Sequence, residues 1–188
     1  MYFNSLTANS DLPYWGKLYQ YIYYANTTLD GIQKSEKLSA KVTQQLIAEV
    51  KLIRAFMYFN LVNLFGDVPL ILTTDASVTS QTGRTSKATV YNQIIKDLEE
   101  AEGALSTDYV SGNSISFTDD RIRPNKFAAK SLLARAYLYI EQWALAEKWS
   151  SEVISELSRY QLEPLENVFL RSSREAIWQL QSVNPVLN

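Results

Sequence analysis

The chain has 188 residues, 46% of them apolar, ample for one compact core, and a net charge of -2 with Lys and Arg scattered along its length. That charge pattern gives no electrostatic footprint for nucleic acid, so no nucleic-acid partner is expected. With no histidine and no cysteine, zinc sites, disulfides, thiolate nucleophiles and a histidine general base are excluded, a metal site could use carboxylates alone, and no cofactor is expected.

Residues 1–12 are polar and unpatterned and read as an irregular segment at a cut N-terminus. From Pro13 onward, Trp15, Leu18, Ile22, Ala25, Leu29 and Ile32 recur at spacings of three and four, which places them on one face of a first helix. Asp11 with Pro13 behind it makes its N-terminus, and Gly31 with the polar run to Ser39 ends it. A second helix opens near Ser39 and turns Val42, Leu46, Val50, Ile53, Phe56, Met57, Leu61 and Leu64 toward a core. Gly66 stops it and Pro69 prevents resumption, so Gly66-Asp67-Val68-Pro69 reads as a helix stop followed by a turn.

Leu70 to Leu72 is a short apolar stretch, and Thr73 to Lys87 is a surface loop of small polar residues. A third helix runs from about Ser86 to Leu105, with Val90, Tyr91, Ile94, Leu98 and Ala101 facing inward and Asp97, Glu99, Glu100 and Glu102 outward. Ser106 to Arg123 forms a second long loop, and such lengths inside compact domains mark functional or mobile segments. Helix four spans about Pro124 to Glu141, with its proline in the opening turn, and helix five about Trp143 to Leu157. Leu162, Leu165 and Phe169 then form an irregular packing segment, and the period-two pattern of Ala176 to Gln181 predicts one strand. The predicted organisation is an irregular segment over 1–12, a helical-repeat domain over 13–158, and an irregular segment over 159–188 that carries one strand and is incomplete at the C-terminus. No apolar run approaches the ~20 residues of a membrane-spanning helix.

Two of these helices share a signature: Arg54-Ala55-Phe56-Met57-Tyr58 and, 81 residues later, Arg135-Ala136-Tyr137-Leu138-Tyr139. A repeated unit that cannot bury its apolar face alone marks a helical array, and this shift equals about two repeat units with a long loop inserted. Helices two and three form one pair and helices four and five another. In the second pair Leu133, Ala134, Tyr137 and Ala146 match tetratricopeptide offsets, where small alanines let helices approach closely, although Ser150 stands where that pattern has a large Phe. The predicted class is mostly α: tetratricopeptide-like antiparallel helix pairs, about five helices, long loops and a short C-terminal strand. Arg54, Ala55, Gly66, Pro69, Ala134, Arg135, Ala136 and Ala146 read as structural, both arginines running along the seam toward carboxylates or helix-end carbonyls.

Carboxylates are the only acid–base residues left. Those of helix three read as a solvated face, and Asp119-Asp120, beside Arg121 and Arg123, as local pairing without the spaced pattern of a calcium loop. No catalytic residue is assigned, and no enzyme activity is expected. The 12 Tyr and 4 Trp suit seam packing or stacking on sugars. If a sugar binds, exposed loop rings would hold it, and Tyr14, Tyr109 and Phe117 are the candidates, with packing as the competing role of each.

The run from Ala48 to Leu70, AEVKLIRAFMYFNLVNLFGDVPL, closely resembles the signature of the SusD/RagB family. Trp15 with Tyr19, Ile22, Ala25 and Asn26, Arg84 with Tyr91, Ile95, Asp97 and Leu98, Lys126 to Tyr139, and Glu175 to Leu180 resemble further family segments in the same order. The resemblance extends from Trp15 to Gln181 and covers part of a typical member's length. It implies a non-catalytic lipoprotein on the outer face of the Bacteroidetes outer membrane. Such a protein caps a SusC-like TonB-dependent transporter and captures an oligosaccharide or other nutrient for import. The resemblance also implies that the ligand surface is built largely from segments before and after this stretch. The chain departs from the family in showing neither the N-terminal signal nor the lipidated cysteine. The alternative function is a soluble intracellular tetratricopeptide-like adaptor holding a peptide or protein partner.

Overall fold

The computed structural model describes residues 13–181. They form α1 (Pro13–Lys34), α2 (Ala40–Phe65), β1 (Val68–Pro69), α3 (Ala76–Thr79), β2 (Arg84–Thr85), α4 (Lys87–Ala104), α5 (Lys126–Tyr139) and α6 (Trp143–Ile154). The mostly α, tetratricopeptide-like architecture is the one found. α2 packs on α4 and α5 on α6 as two antiparallel pairs, α4 meets α5 to join them, and α1 packs on α2. The sixth helix is the single turn α3 inside the first long loop. Among the described residues no helix is long and apolar enough to cross a membrane.

Three of the long helices, like the short α3 with Asp75, start where a short polar side chain takes an otherwise unpaired amide. Ser39 accepts from Val42 N at 3.4 Å, Ser86 from Thr89 N at 3.3 Å and Asn125 from Ala128 N at 3.1 Å. Asn125 is the cap of α5, so Pro124 sits ahead of the helix instead of in its opening turn. Its amide nitrogen is also tied to Thr107 O (3.1 Å) and the Tyr160 hydroxyl (3.0 Å). Asp11, expected to cap α1, lies outside the described residues. α1 runs through Gly31 to Lys34, because burial of Leu29 and Ile32 and the Asp30–Lys34 pair at 2.7 Å offset the ~1 kcal/mol a helical glycine costs. Gly66 does end α2: its φ of 69° suits a residue without Cβ, and its amide returns to Val62 O at 3.1 Å.

The turn after Gly66 is held at both ends. Val68 lies opposite Thr85 and Pro69 opposite Arg84 in the two-stranded ribbon. The Asp67 carboxylate accepts the Lys87 amide at 2.8 Å, at the start of α4, and its carbonyl accepts the Arg84 guanidinium. A carboxylate at a helix N-terminus meets unpaired amides and the positive end of the helix dipole. Loop 73–87 is therefore pinned at its base.

Small residues set the helix separations. Ala48, Ala55, Ala101, Ala129 and Ala136 are all buried, with Leu52, Leu61, Ile94, Leu98 and Leu133 packed around them. Asp97, expected on the solvated face, is instead buried at 1% exposure. Its two oxygens accept Arg54 Nε and Nη2, both at 2.8 Å, and Gln93 Nε2 adds a bond at 2.9 Å. Arg54 Nη1 reaches Asn26 Oδ1 at 2.9 Å, and Asn26 donates to Ile71 O at 3.0 Å. One polar network thus joins α1, α2, α4 and the chain after β1. An arginine in a seam needs a bidentate carboxylate, and that need draws Asp97 inward.

The predicted strand over Ala176–Gln181 is absent: these residues are irregular up to 181. Loop groups, not a second strand, take up their backbone. Tyr109 Oη donates to Ile177 O (2.6 Å), the Arg121 guanidinium to Ala176 O, and Gln179 N to Arg121 O (2.8 Å). Ile177 and Trp178 pack on the helical core, where Trp178 meets Phe56 edge-on with centroids 6.0 Å apart.

Candidate functional site

The loop from 106 to 123 is a closed hairpin. Val110 and Phe117 pair as an antiparallel bridge, flanked by Ser111 N to Ser116 O at 2.8 Å and Thr118 N to Tyr109 O at 3.0 Å. At its tip the Asn113 side-chain oxygen accepts the amides of Ile115 and Ser116, both at 2.9 Å. Arg123 Nη2 donates to the Ser114 hydroxyl at 2.7 Å, and the same guanidinium grips both oxygens of the buried Glu49 on α2, 2.8 Å at the closest. The hairpin is thereby riveted to the helical scaffold.

Between this hairpin and residues 158–174 lies a groove of about 760 Å³. Phe117 lines it with 61% of its surface exposed, whereas Tyr109, also in the lining, is 4% exposed. Tyr109 is therefore not the exposed ring the loop suggested. Asn125 donates to Tyr160 Oη (3.0 Å), Tyr160 lies 2.8 Å from Tyr109 Oη, and Tyr109 donates to Ile177 O (2.6 Å). Burial pushes the Tyr109 phenol well above the usual tyrosine range, so it stays a donor.

Four arginines line the groove, Arg121, Arg159, Arg171 and Arg174, together with Asp108 and Asp119. Arg159 pairs with Asp108, which pushes the guanidinium further up, and Arg171 pairs with Asp120 at 2.6 Å. Arg121 and Arg174 form no ion pair among the described residues. Arg121 bonds the carbonyls of Arg159 (3.1 Å), Arg174 (3.4 Å) and Ala176, with its carbon 5.3 Å and 5.6 Å from the Tyr160 and Tyr109 ring centroids. Arg174 bonds the carbonyls of Leu157 (2.6 Å) and Ser158 (2.9 Å). Asp119, exposed, has no ion-pair partner among the described residues. The Asp119-Asp120 pair expected to act locally is split between the groove and Arg171, and no metal-holding group of three acids occurs among the described residues.

Tyr14 falls elsewhere, in a mostly apolar groove of about 510 Å³ between α1 and α2, with Lys17, Tyr21, Phe56 and Leu64. Tyr14 is 66% and Tyr21 50% exposed there. Of the three candidate rings, the fold thus brings two together and separates the third. A third cleft, about 360 Å³, opens over the Arg54 network between α1, α2 and α4.

The residues read as structural occupy unequal places. Ala55 and Ala136 are fully buried, Ala146 is 8% exposed, and the Pro69 carbonyl accepts the Tyr19 hydroxyl at 2.8 Å. Ala134 is half-buried beside a shallow groove shared with Arg135, Leu138, Trp143 and Ala146. Arg135 departs from its expected pairing. It is exposed, and its guanidinium carbon lies 5.1 Å from the Phe59 and 6.0 Å from the Tyr139 ring centroid. No α6 carboxylate forms an ion pair with it, so ring stacking takes the place of a salt bridge. The sequence alone points to no role for Arg174, Tyr160 or Glu49, and Arg121, expected to pair with the neighbouring Asp119-Asp120, instead bonds backbone carbonyls. The available signal was cationic density, two arginines at 121 and 123 and two more at 171 and 174.

With this geometry in hand, relatives supply the context. Residues 3–138 match the SusD-like family model described as starch-binding, associating with the outer membrane. SusD-like protein P25 of Formosa agariphila is 31% identical over 172 residues, covering 88% of this chain and 31% of that protein. The crystal structure of a SusD superfamily protein from Parabacteroides distasonis superposes with a TM-score of 0.78 at 32% identity, covering 90% of this chain and 37% of that one. A laminarin-binding SusD-like protein superposes with a TM-score of 0.74 at 30% identity, covering 88% and 36%. The chain therefore spans about a third of the length of these relatives. It belongs to the SusD-like family.

Proposed function

We propose that the chain is the helical platform of a non-catalytic glycan-capture protein at the bacterial cell surface, working beside a SusC-like TonB-dependent transporter in the outer membrane. The observation that carries this reading is its family membership, joined to its likeness to a laminarin-binding relative over 88% of its length. It favours surface capture over an intracellular adaptor.

The chain's own share of the ligand surface is the groove beside Phe117. An exposed ring offers its face to the C–H groups of a pyranose, while fixed arginines and the exposed Asp119 carboxylate offer donors and acceptors for hydroxyls. Glycoside hydrolysis calls for two working carboxylates. Here Asp108 is engaged by Arg159, which leaves Asp119 as the one lining acid without an ion pair among the described residues. That arrangement suits holding a sugar better than cleaving it.

Titration of the chain with a panel of oligosaccharides, followed by calorimetry, tests the capture role. Saturable binding with unchanged saccharide is expected, and release of reducing ends would contradict it. Co-purification with the product of an adjacent TonB-dependent receptor gene tests the partnership.

A further inference from the structure

We infer that the groove between the 106–123 hairpin and residues 158–174 takes an acidic saccharide unit, whose carboxylate or sulfate is held by Arg121 and Arg174. This rests on the glycan-capture reading and names the class of glycan.

The inference starts from how the four lining arginines are satisfied. Arg159 and Arg171 are neutralised by Asp108 and Asp120. Among the described residues, the guanidinium hydrogens of Arg121 and Arg174 go to backbone carbonyls alone. A carbonyl orients a guanidinium but does not cancel its charge. Both side chains are half-buried, which raises the value of a counter-ion above that at a free surface. Each also keeps hydrogens to give. Of the five guanidinium N–H groups, Arg121 spends both Nη1 hydrogens and one on Nη2, leaving Nε–H and one more. Arg174 spends its two Nη2 hydrogens, leaving Nε–H and Nη1.

Preorganisation adds to this. The Arg121 guanidinium lies against the Tyr109 and Tyr160 rings, so its plane is fixed before a ligand arrives. Planar, rigid and singly charged, it matches an oxyanion through paired N–H bonds. Asp119 is the one lining acid without an ion pair among the described residues, and it can accept hydroxyl hydrogens from the same sugar. Phe117 supplies the apolar face. An acid group, free hydroxyls and a C–H face occur together in a uronic acid or a sulfated hexose.

The test titrates the isotope-labelled chain with trigalacturonate, a sulfated galactan oligosaccharide and neutral laminarihexaose, at low and at molar salt. We expect at least one acidic ligand to bind about tenfold tighter than the neutral one at low salt, and to lose that advantage at high salt. Whether the uronate or the sulfate arm leads identifies the anion. Arg174→Gln should weaken the acidic ligand about tenfold and the neutral one less than about twofold, with Arg174→Lys retaining part of the gain. The salt series on the unaltered chain needs no substitution, so it decides the matter even if a variant misfolds. Equal or better binding of laminarihexaose, indifferent to salt, would overturn the acidic preference while leaving glycan capture standing. Failure of all three to bind would remove both.

Discussion

The two helix pairs carry one signature and satisfy it differently. In the first, Arg54 is buried and clasps Asp97 of the neighbouring helix, with Asn26 of α1 completing the network. In the second, Arg135 lies at the surface over the Phe59 and Tyr139 rings. What the repeats conserve in common is the alanine beside each arginine, fully buried in both. The small residue sets how closely helices approach. The arginine's role is decided by which residues its neighbours happen to present.

The sharpest way to break this comparison is to remove the acid from the first pair. Asp97→Ala leaves a buried guanidinium without its counter-charge, which should cost about 3–5 kcal/mol in urea unfolding. Replacing Arg54 and Asp97 together by Met and Leu should recover much of that loss, because the apolar pair needs no partner. Next in size come the shared alanines. Ala55→Leu and Ala136→Leu should each destabilise by about 1–3 kcal/mol through overpacking. A large difference between the two would show that the seams are not equivalent.

The helices themselves are readable from periodicity because helix faces recur every three to four residues whatever the partner. The buried face of α2 is not: of the residues expected to face the core only Leu61 is buried and Leu64 is exposed, while Leu52, Ala55, Tyr58 and Phe59 turn inward. Gly66 as a stop, and helix starts near Ser39 and Ser86, follow from local chemistry. Asp97 was misplaced for an instructive reason. Periodicity put it among acids on an outer face, and only the position of Arg54 on another helix draws it in. The strand expected at Ala176–Gln181 failed in the same way, since its backbone is occupied by Arg121 and Tyr109 from a distant loop. The groove was legible only in fragments: Phe117 and Tyr109 were singled out, but the fold had to bring residues 158–174 across from them.

A pH series sharpens the comparison further. Tyr137 on α5 donates to Glu99 on α4 at 2.9 Å, and burial first, then that carboxylate, raise its pKa from 10.0 to about 12. The unfolded chain loses this proton near the ordinary tyrosine value of 10.0 while the folded chain keeps it, so the contribution is complete below pH 10 and is lost as pH rises toward 12. Tyr137→Phe should flatten that part of the alkaline decline measured by chemical unfolding. With no histidine in the chain, stability should stay level between about pH 6 and 9. The smallest effect belongs to Arg135→Ala, about 0.5–1 kcal/mol from lost ring stacking at an exposed site. A loss as large as that of Asp97→Ala would restore the symmetry that the structure denies.

The most direct test of the functional account is to map a bound oligosaccharide onto the chain by amide chemical-shift perturbation. The account predicts that shifts gather on residues 109–121 and 158–174, and that Phe117→Ala abolishes them while leaving the fold intact. Shifts centred on Tyr14 and Tyr21 in the α1–α2 groove, unaffected by Phe117→Ala, would contradict it.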